Sequence, residues 1–195
     1  MNTIKPLYSG ILLAGGKSTR MGEDKAFMIY KNRFLYEHSL SVLSVFSEDL
    51  LISSSNPSFE KSDYRLIPDE TSGLGPLGGI YSCLKKIKYN YAIVLPCDLP
   101  LISGAIIEKL ITASENSEIT IALNHNNLPE PLVGIYSISA IPAMQEMIES
   151  NQFKMQELFT RVKTRFVKIP RTSKNTFHNI NSPDDFNALP ANIAK

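Results

Sequence analysis

The chain has no tryptophan, two cysteines and three histidines in 195 residues, and each scarcity removes a class of protein. Cys83 and Cys97 are too few for a disulfide scaffold and form no C-x-x-C pair, so both are expected to be plain buried thiols in a reducing compartment. His38, His125 and His178 have no ligand spacing, which argues against a histidine metal centre. No apolar run approaches the roughly 18 residues of a membrane span. The stretch after Lys5, LYSGILLAG, could imitate a signal peptide, but Ser9-Gly10 breaks it and cleavage there would remove a strand that fits the following loop. Net charge is +1 with the basic residues scattered, so neither a nucleic-acid face nor a polybasic membrane patch is expected. Internal repeats, low-complexity tracts and linkers are absent. What remains is an ordinary composition, 43% apolar and 20% charged, in a chain long enough for one core burying about 70% of its unfolded surface. A cytoplasmic protein whose partner is a small molecule or another protein fits these bounds.

The chain is organised around Ser9 to Lys25, SGILLAGGKSTRMGEDK. Gly10-Ile11-Leu12-Leu13-Ala14 has the length and branching of a buried strand, and the sequence then turns abruptly to glycine and charge. Gly15, Gly16 and Gly22 can take positive φ and let backbone approach a ligand, while Lys17, Arg20 and Lys25 place three cations on one short loop. Such a loop suits polyphosphate. It is not a Walker A loop, because five residues rather than four separate Gly10 from Gly16 ahead of Lys17. Nor does any G-x-G-x-x-G fit the segment.

Further along, Phe34 to Phe46 is broadly helical and leads to the strand-like Asp49-Leu50-Leu51-Ile52, completing a βαβ unit. Tyr64 to Ile67 reads as a short strand ended by Pro68-Asp69. A glycine-rich loop, Gly73 to Gly79, opens an amphipathic helix in which Pro76 suits the first turn. Tyr91 to Leu95 is a continuous apolar run, as in a central parallel strand, and stops at Pro96-Cys97-Asp98-Leu99-Pro100. Ser103 is expected to cap the next helix. Glu118 to Leu123 and Leu132 to Ile138 read as strands flanking a polar turn, Asn124 to Pro129, with helical pieces near Ala140 to Glu149 and Met155 to Thr160. Arg165 to Ile169 reads as a late strand, and Ser182-Pro183-Asp184-Asp185 starts a terminal helix with a capping box. The order implies a Rossmann-like α/β fold, one three-layer domain over 1–195 with a mostly parallel, partly mixed sheet.

Three polar clusters follow apolar strands: the Gly15 to Lys25 loop, Asp69 with the Gly73 to Gly79 loop, and Asp98. Ligands in open α/β sheets bind beyond the carboxyl ends of the strands, so the three are expected to share one site. Asp98 is the candidate Mg²⁺ ligand, since a hard cation wants carboxylate oxygen and fills its shell with phosphate and water; a turn aspartate between two prolines is the alternative. Arg20 and Lys25 would neutralise phosphates. Lys17 is as readily a solvated lysine. Asp69 could accept hydrogen bonds from a guanine edge or a ribose, or simply serve a turn.

LAGG followed by S-x-RMG-x-DK resembles the nucleotidyltransferase signature in the form used by molybdenum cofactor guanylyltransferases. The resemblance continues through Gly75-Pro76-Leu77-x-Gly79-Ile80, Pro96-Cys97-Asp98-x-Pro100 and the Asn179-Ile180-Asn181 segment, covering nearly the whole chain. It implies GTP binding by Leu13, Ala14, Gly15, Gly16, Lys25, Asp69 and Asp98, catalysis by Arg20, Lys25 and Asp98, and Mg²⁺ at Asp98. By the same resemblance Asn179 and Asn181 lie near the acceptor, molybdopterin, although as amides they could equally satisfy local backbone. It divides the chain into a GTP-binding half, about 8–115, and an acceptor-binding half, about 116–190, with Glu130-Pro131-Leu132 on the substrate side. It also implies transient docking with cofactor-insertion or molybdoenzyme proteins. The chain departs from the pattern twice. Glu23 alone separates Gly22 from Asp24 where two residues are common, and an asparagine expected near the base is displaced, with Ser55 at its place and Asn56 one residue on. A related enzyme using CTP or a sugar-phosphate acceptor, or a nucleotide-binding protein without turnover, are the alternatives.

Overall fold

Side chains alternate along the central strands, and that alternation builds the molecule. In the computed structural model, which describes residues 7–15, 24–69, 73–170 and 176–190, the first strand β1 (Tyr8–Leu13) is buried at all six positions. Leu12 faces one side of the sheet, and Ile11 and Leu13 face the other. A two-stranded hairpin follows, β2 (Ile29–Tyr30) and β3 (Arg33–Phe34), then α1 (Leu35–Phe46), β4 (Asp49–Ser53), β5 (Arg65–Ile67) and α2 (Gly75–Leu84). The chain continues through β6 (Tyr91–Pro96), α3 (Gly104–Ala113), β7 (Ile119–Leu123) and β8 (Pro129–Ser137). It closes with α4 (Ile141–Glu149), α5 (Met155–Arg161), β9 (Thr164–Lys168) and α6 (Pro183–Asn187).

The seven-stranded sheet has the order β5-β4-β1-β6-β8-β7-β9. All strands run parallel except β8, which is antiparallel to both β6 and β7. Leu40 and Leu43 of α1 and Ile106, Ile107 and Leu110 of α3 cover the face carrying Leu12, Ile52, Ile93 and Leu95. Leu77, Ile80 and Leu84 of α2, with Met144 and Met147 of α4, cover the face carrying Ile11, Leu51 and Val94. The result is the expected three-layer α/β architecture. Each fully buried aliphatic side chain contributes roughly 1.5–3 kcal/mol through removal from water.

Several sequence readings shift. The first strand is Tyr8–Leu13 rather than Gly10 to Ala14, and β8 begins at Pro129, so that Glu130 and Pro131 lie in the sheet rather than beside it. The hairpin β2–β3 has no glycine turn to announce it; Lys31 and Asn32 take left-handed φ of 48° and 59° instead. Ser103 occupies the residue before α3, but its hydroxyl makes no capping bond. At α6 the capping pattern holds: Ser182 Oγ accepts from the Asp185 N–H, and the Asp185 carboxylate accepts from Asn181 N and Ser182 Oγ. Cys83 and Cys97 are free and buried, and burial pushes both thiols up to about 12, which leaves them protonated and inert.

At the amino-terminal end of β4, Asp49 is 9% exposed and fully engaged. Its carboxylate accepts from Ser9 Oγ (2.5 Å), Arg65 Nη1 (2.7 Å) and the Lys88 N–H (2.8 Å). Burial alone would raise this carboxyl, but the bonds from Ser9, Lys88 and Arg65 outweigh it and hold the group below its ordinary value. The folded state therefore favours the carboxylate, a stabilisation present at neutral pH and lost as pH falls from the ordinary value, about 3.9, through the depressed one. Asp49→Ala is expected to lower unfolding free energy by about 2 kcal/mol at pH 7, because buried donors are left unpaired. Urea titrations at pH 7 and in acid check this, and the gap between variant and wild type should narrow in acid.

Candidate active site

Parallel strands in register end together, and β1 ties its neighbours at a single level. Leu13 pairs with Ser53 of β4 on one side and with Pro96 of β6 on the other. The ladder continues one step further, with Ala14 N donating to the Ser53 carbonyl (3.0 Å) and Cys97 N to the Leu13 carbonyl (3.0 Å). β1 connects through α1 to β4, whereas β6 lies on the opposite side, so the crevice between β1 and β6 is the topological switch point. A cleft of about 560 Å³ opens there, of the size that takes a nucleotide-like ligand. Gly15, Lys25, Ser53, Asp69, Gly79 and Asp98 are among its walls. Described residues from all three polar clusters read from sequence, Gly15 and Lys25 from the first, thus line one cleft.

Lys25 begins a short 3₁₀ turn, Lys25–Phe27, which Asp24 caps by accepting from Ala26 N at 3.1 Å. From there Lys25 Nζ donates to Asp98 Oδ2 (2.5 Å) and to Asn181 Oδ1 (3.0 Å). The two charged side chains are 22% and 14% exposed, a partly buried pair. The second Asp98 oxygen, Oδ1, is buried and makes no hydrogen bond among the described residues. The Asp98 carbonyl accepts from Ile180 N (3.0 Å), which clamps the Asn179 to Asn181 segment onto the loop after β6. Asn181 thereby reaches the site. Asn179 is half-buried.

On the other flank Ser53 Oγ donates to Asp69 Oδ1 (3.4 Å), beneath the start of α2. Gly79 leaves room for this pair, because a Cβ there would stand 2.5 Å from Ser53 Oγ and 3.3 Å from Asp69 Oδ1 and would push the hydroxyl aside. Gly75 enters α2 at φ +59°, a conformation that favours glycine, followed by Pro76 in the first turn. Burial pushes the Asp69 carboxyl above its usual range, and the Ser53 hydroxyl offsets only part of that. Across the cleft Leu132 of β8 contributes an apolar wall. Glu130 accepts from Asn124 Nδ2 (2.8 Å), while burial and, to a smaller extent, the Asp98 charge push its carboxyl upward.

Some expectations change. Gly15 does not take positive φ; among described glycines only Gly73 and Gly75 do, and a Cβ at Gly15 would meet only an ordinary 3.7 Å contact. Ala14 packs its methyl into the core and commits its N–H to Ser53, so it meets the cleft at most through its carbonyl. Asn56 is not a cleft residue, since its amide donates to Asp24 Oδ2 (2.5 Å). Gly16, Lys17, Arg20 and Gly22 lie outside the described residues. Sequence reasoning missed Ser53 as a site residue, although a serine ending a buried strand beside two other strand ends was a usable signal.

The sequence model described as the MobA-like NTP transferase domain matches residues 10–165. The chain belongs to the MobA-like NTP transferase family. A molybdenum cofactor guanylyltransferase of Flavobacterium johnsoniae is 31% identical over 184 residues, covering 94% of this chain and 96% of that protein. One from Halalkalibacterium halodurans is 33% identical over 186 residues, covering 90% and 94%. Among solved structures, molybdopterin-guanine dinucleotide biosynthesis protein A from Archaeoglobus fulgidus superposes with a TM-score of 0.77 at 22% identity, covering 92% of this chain and 95% of that one, which shows the shared fold. The cleft at the β1/β6 switch point lies where open α/β sheets bind their ligands, which makes it the candidate site for this chain.

The raised Asp69 carboxyl gives a check on its placement. Burial makes the ionised carboxyl costlier in the folded state than in the unfolded one, a cost that fades as pH falls and the group takes up its proton. Asp69→Asn is therefore expected to raise the thermal midpoint at pH 7, with a gain that shrinks toward acid. Calorimetric unfolding from pH 7 to pH 4 measures both.

Proposed function

We propose that the chain transfers GMP from GTP to molybdopterin carrying molybdenum, forming the guanine dinucleotide cofactor and releasing pyrophosphate. The observation that carries this reading is the meeting of Lys25, Asp98 and Asn181 at the ends of β1 and β6, in a chain whose relatives are named for that reaction. A phosphate oxygen of the acceptor attacks the α-phosphorus of GTP. The new O–P bond forms as the bond from the α-phosphorus to the bridging oxygen breaks, and the electron pair leaves on pyrophosphate. The attacking oxygen is already anionic, so no side chain has to remove a proton. Catalysis then rests on alignment and on neutralising charge.

Lys25 would hold the departing phosphates, with Arg20 as its partner by sequence. The backbone of Leu13, Ala14, Gly15 and Gly16 would approach the nucleotide, and Asp69, oriented by Ser53, would accept from the guanine edge. Asn181, already bonded to Lys25, and Asn179 beside it would face the acceptor half of the cleft. The residues present fit a Mg²⁺ ion: a buried carboxylate oxygen of Asp98 has no hydrogen-bond partner among the described residues, and phosphate and water would complete the shell. Bound there, Mg²⁺ would supply charge neutralisation on the triphosphate. No helix among the described residues is long and apolar enough to cross a membrane, and the two protonated thiols suit the reducing cytoplasm in which we place the reaction. Hand-over of the product to cofactor-insertion or molybdoenzyme proteins is part of this proposal.

Pyrophosphate release from GTP, CTP, UTP and ATP, with and without molybdopterin, tests the reading. Release confined to GTP plus molybdopterin is the expected result. Preference for CTP or UTP, or tight GTP binding with no release, would replace it with one of the alternatives. Asp98→Asn is expected to lower release on the order of 10²-fold or more with the fold intact by circular dichroism.

A further inference from the structure

Asn56 sits away from the cleft yet is bonded to the residue that precedes the site lysine. Its Oδ1 accepts from Ser58 N (2.9 Å), capping the 3₁₀ turn Pro57–Lys61, and its Nδ2 donates to Asp24 Oδ2 (2.5 Å). Asp24 does the mirror task, since Oδ1 caps the turn Lys25–Phe27 through Ala26 N (3.1 Å) while Oδ2 takes the Asn56 amide. Two cap side chains are thus joined across 32 residues of sequence. Phe27 and Phe59, one from each turn, pack with ring centroids 4.8 Å apart, and Phe59 is 1% exposed. Asn56 is in turn anchored to the sheet: its N–H donates to Ser54 Oγ (3.1 Å), and the N–H of buried Ser54 donates to the Ile67 carbonyl of β5 (3.1 Å).

We propose that Asn56 is a positioning residue for Lys25, acting through Asp24 to hold the lysine in register with Asp98 and Asn181. The role of Lys25 toward phosphate rests on the function proposed above. A lysine stem has four rotatable bonds, and its head is useful only if its backbone is fixed. The bond from Asn56 fixes it against the end of β4, the strand whose Ser53 orients Asp69. Asn56 does not line the cleft, and its side-chain amide is committed to Asp24.

The geometry allows a reciprocal test. Asn56→Asp keeps the oxygen that caps Ser58 but sets a second carboxylate against Asp24. In Asp24→Asn/Asn56→Asp the amide at 24 donates to the carboxylate at 56, and both caps keep an acceptor. Two readouts are made on folded protein: acylation of the Lys25 amine followed by mass spectrometry, and the affinities for GTP and for guanosine. Asn56→Asp is expected to speed Lys25 acylation and to weaken GTP about tenfold, as for loss of one hydrogen bond to a charged group, with guanosine affinity unchanged. The double variant is expected to return both to near wild type. If Asn56→Asp does not fold, Asn56→Ser, which can still cap but is too short to reach Asp24, takes its place. Unchanged Lys25 acylation, no rescue by the double variant, or a parallel loss of guanosine affinity would each overturn the proposal, the last by making Asn56 a base contact. Wild-type protein without GTP affinity would instead overturn the guanylyltransferase reading, and Lys25 acylation would still decide the positioning role.

Discussion

The register between β1 and its two neighbours is the constraint on which the rest depends. Because Leu13 stands opposite both Ser53 and Pro96, three strands end on one line, and the loops that follow must share the space beyond it. A slip of one residue would turn every side chain to the opposite face and bury the wrong set, so the apolar pattern that makes the core also fixes where the polar loops emerge. The core of this protein and its site are specified by the same alternation.

The two ends of the sheet are treated in opposite ways. At the amino-terminal end Asp49 has its carboxylate shared among a hydroxyl, a guanidinium and a backbone N–H, and is held ionised. At the carboxyl-terminal end Asp98 keeps one oxygen buried without a partner among the described residues, and Asp69 is pushed upward by burial with one hydroxyl as partial compensation. Satisfied groups stabilise, whereas a buried oxygen left without a partner in a cleft, as at Asp98, is a candidate point for a ligand to complete the bonding. Lys25 joins the two requirements, since it belongs to the site and yet depends on caps and packed rings behind it.

Much of this was legible in the sequence, for identifiable reasons. β6 is a continuous apolar run that stops at proline, and the apolar second half of β1 stops at glycine, so their ends, and with them Gly15 and Asp98, are marked in the sequence itself. The helices α1, α2 and α3 carried their periodicity openly. The reversal at β8 was legible too, because a short polar turn joins it to β7 and only antiparallel strands can be joined so briefly, which makes the sheet partly mixed. The β2–β3 hairpin was hidden because Lys31 and Asn32 adopt left-handed conformations without the usual glycine. The bond from Asn56 to Asp24 was not legible, since a side-chain bond to a residue 32 positions earlier leaves no local pattern. Ser53 was overlooked because a serine at a strand end resembles any turn residue until Asp69 and Gly79 are seen beside it.

The central claim is that Asp98 and Lys25, brought together at the β1/β6 switch point, bound the triphosphate. A crystal structure with GTP and Mn²⁺, with anomalous scattering used to place the ion, tests it most directly. The account predicts a manganese peak at coordination distance from the Asp98 carboxylate, with phosphate oxygens completing its shell and Lys25 turned onto the β- and γ-phosphates. Manganese and nucleotide bound elsewhere, with the Lys25–Asp98 pair undisturbed, would contradict it.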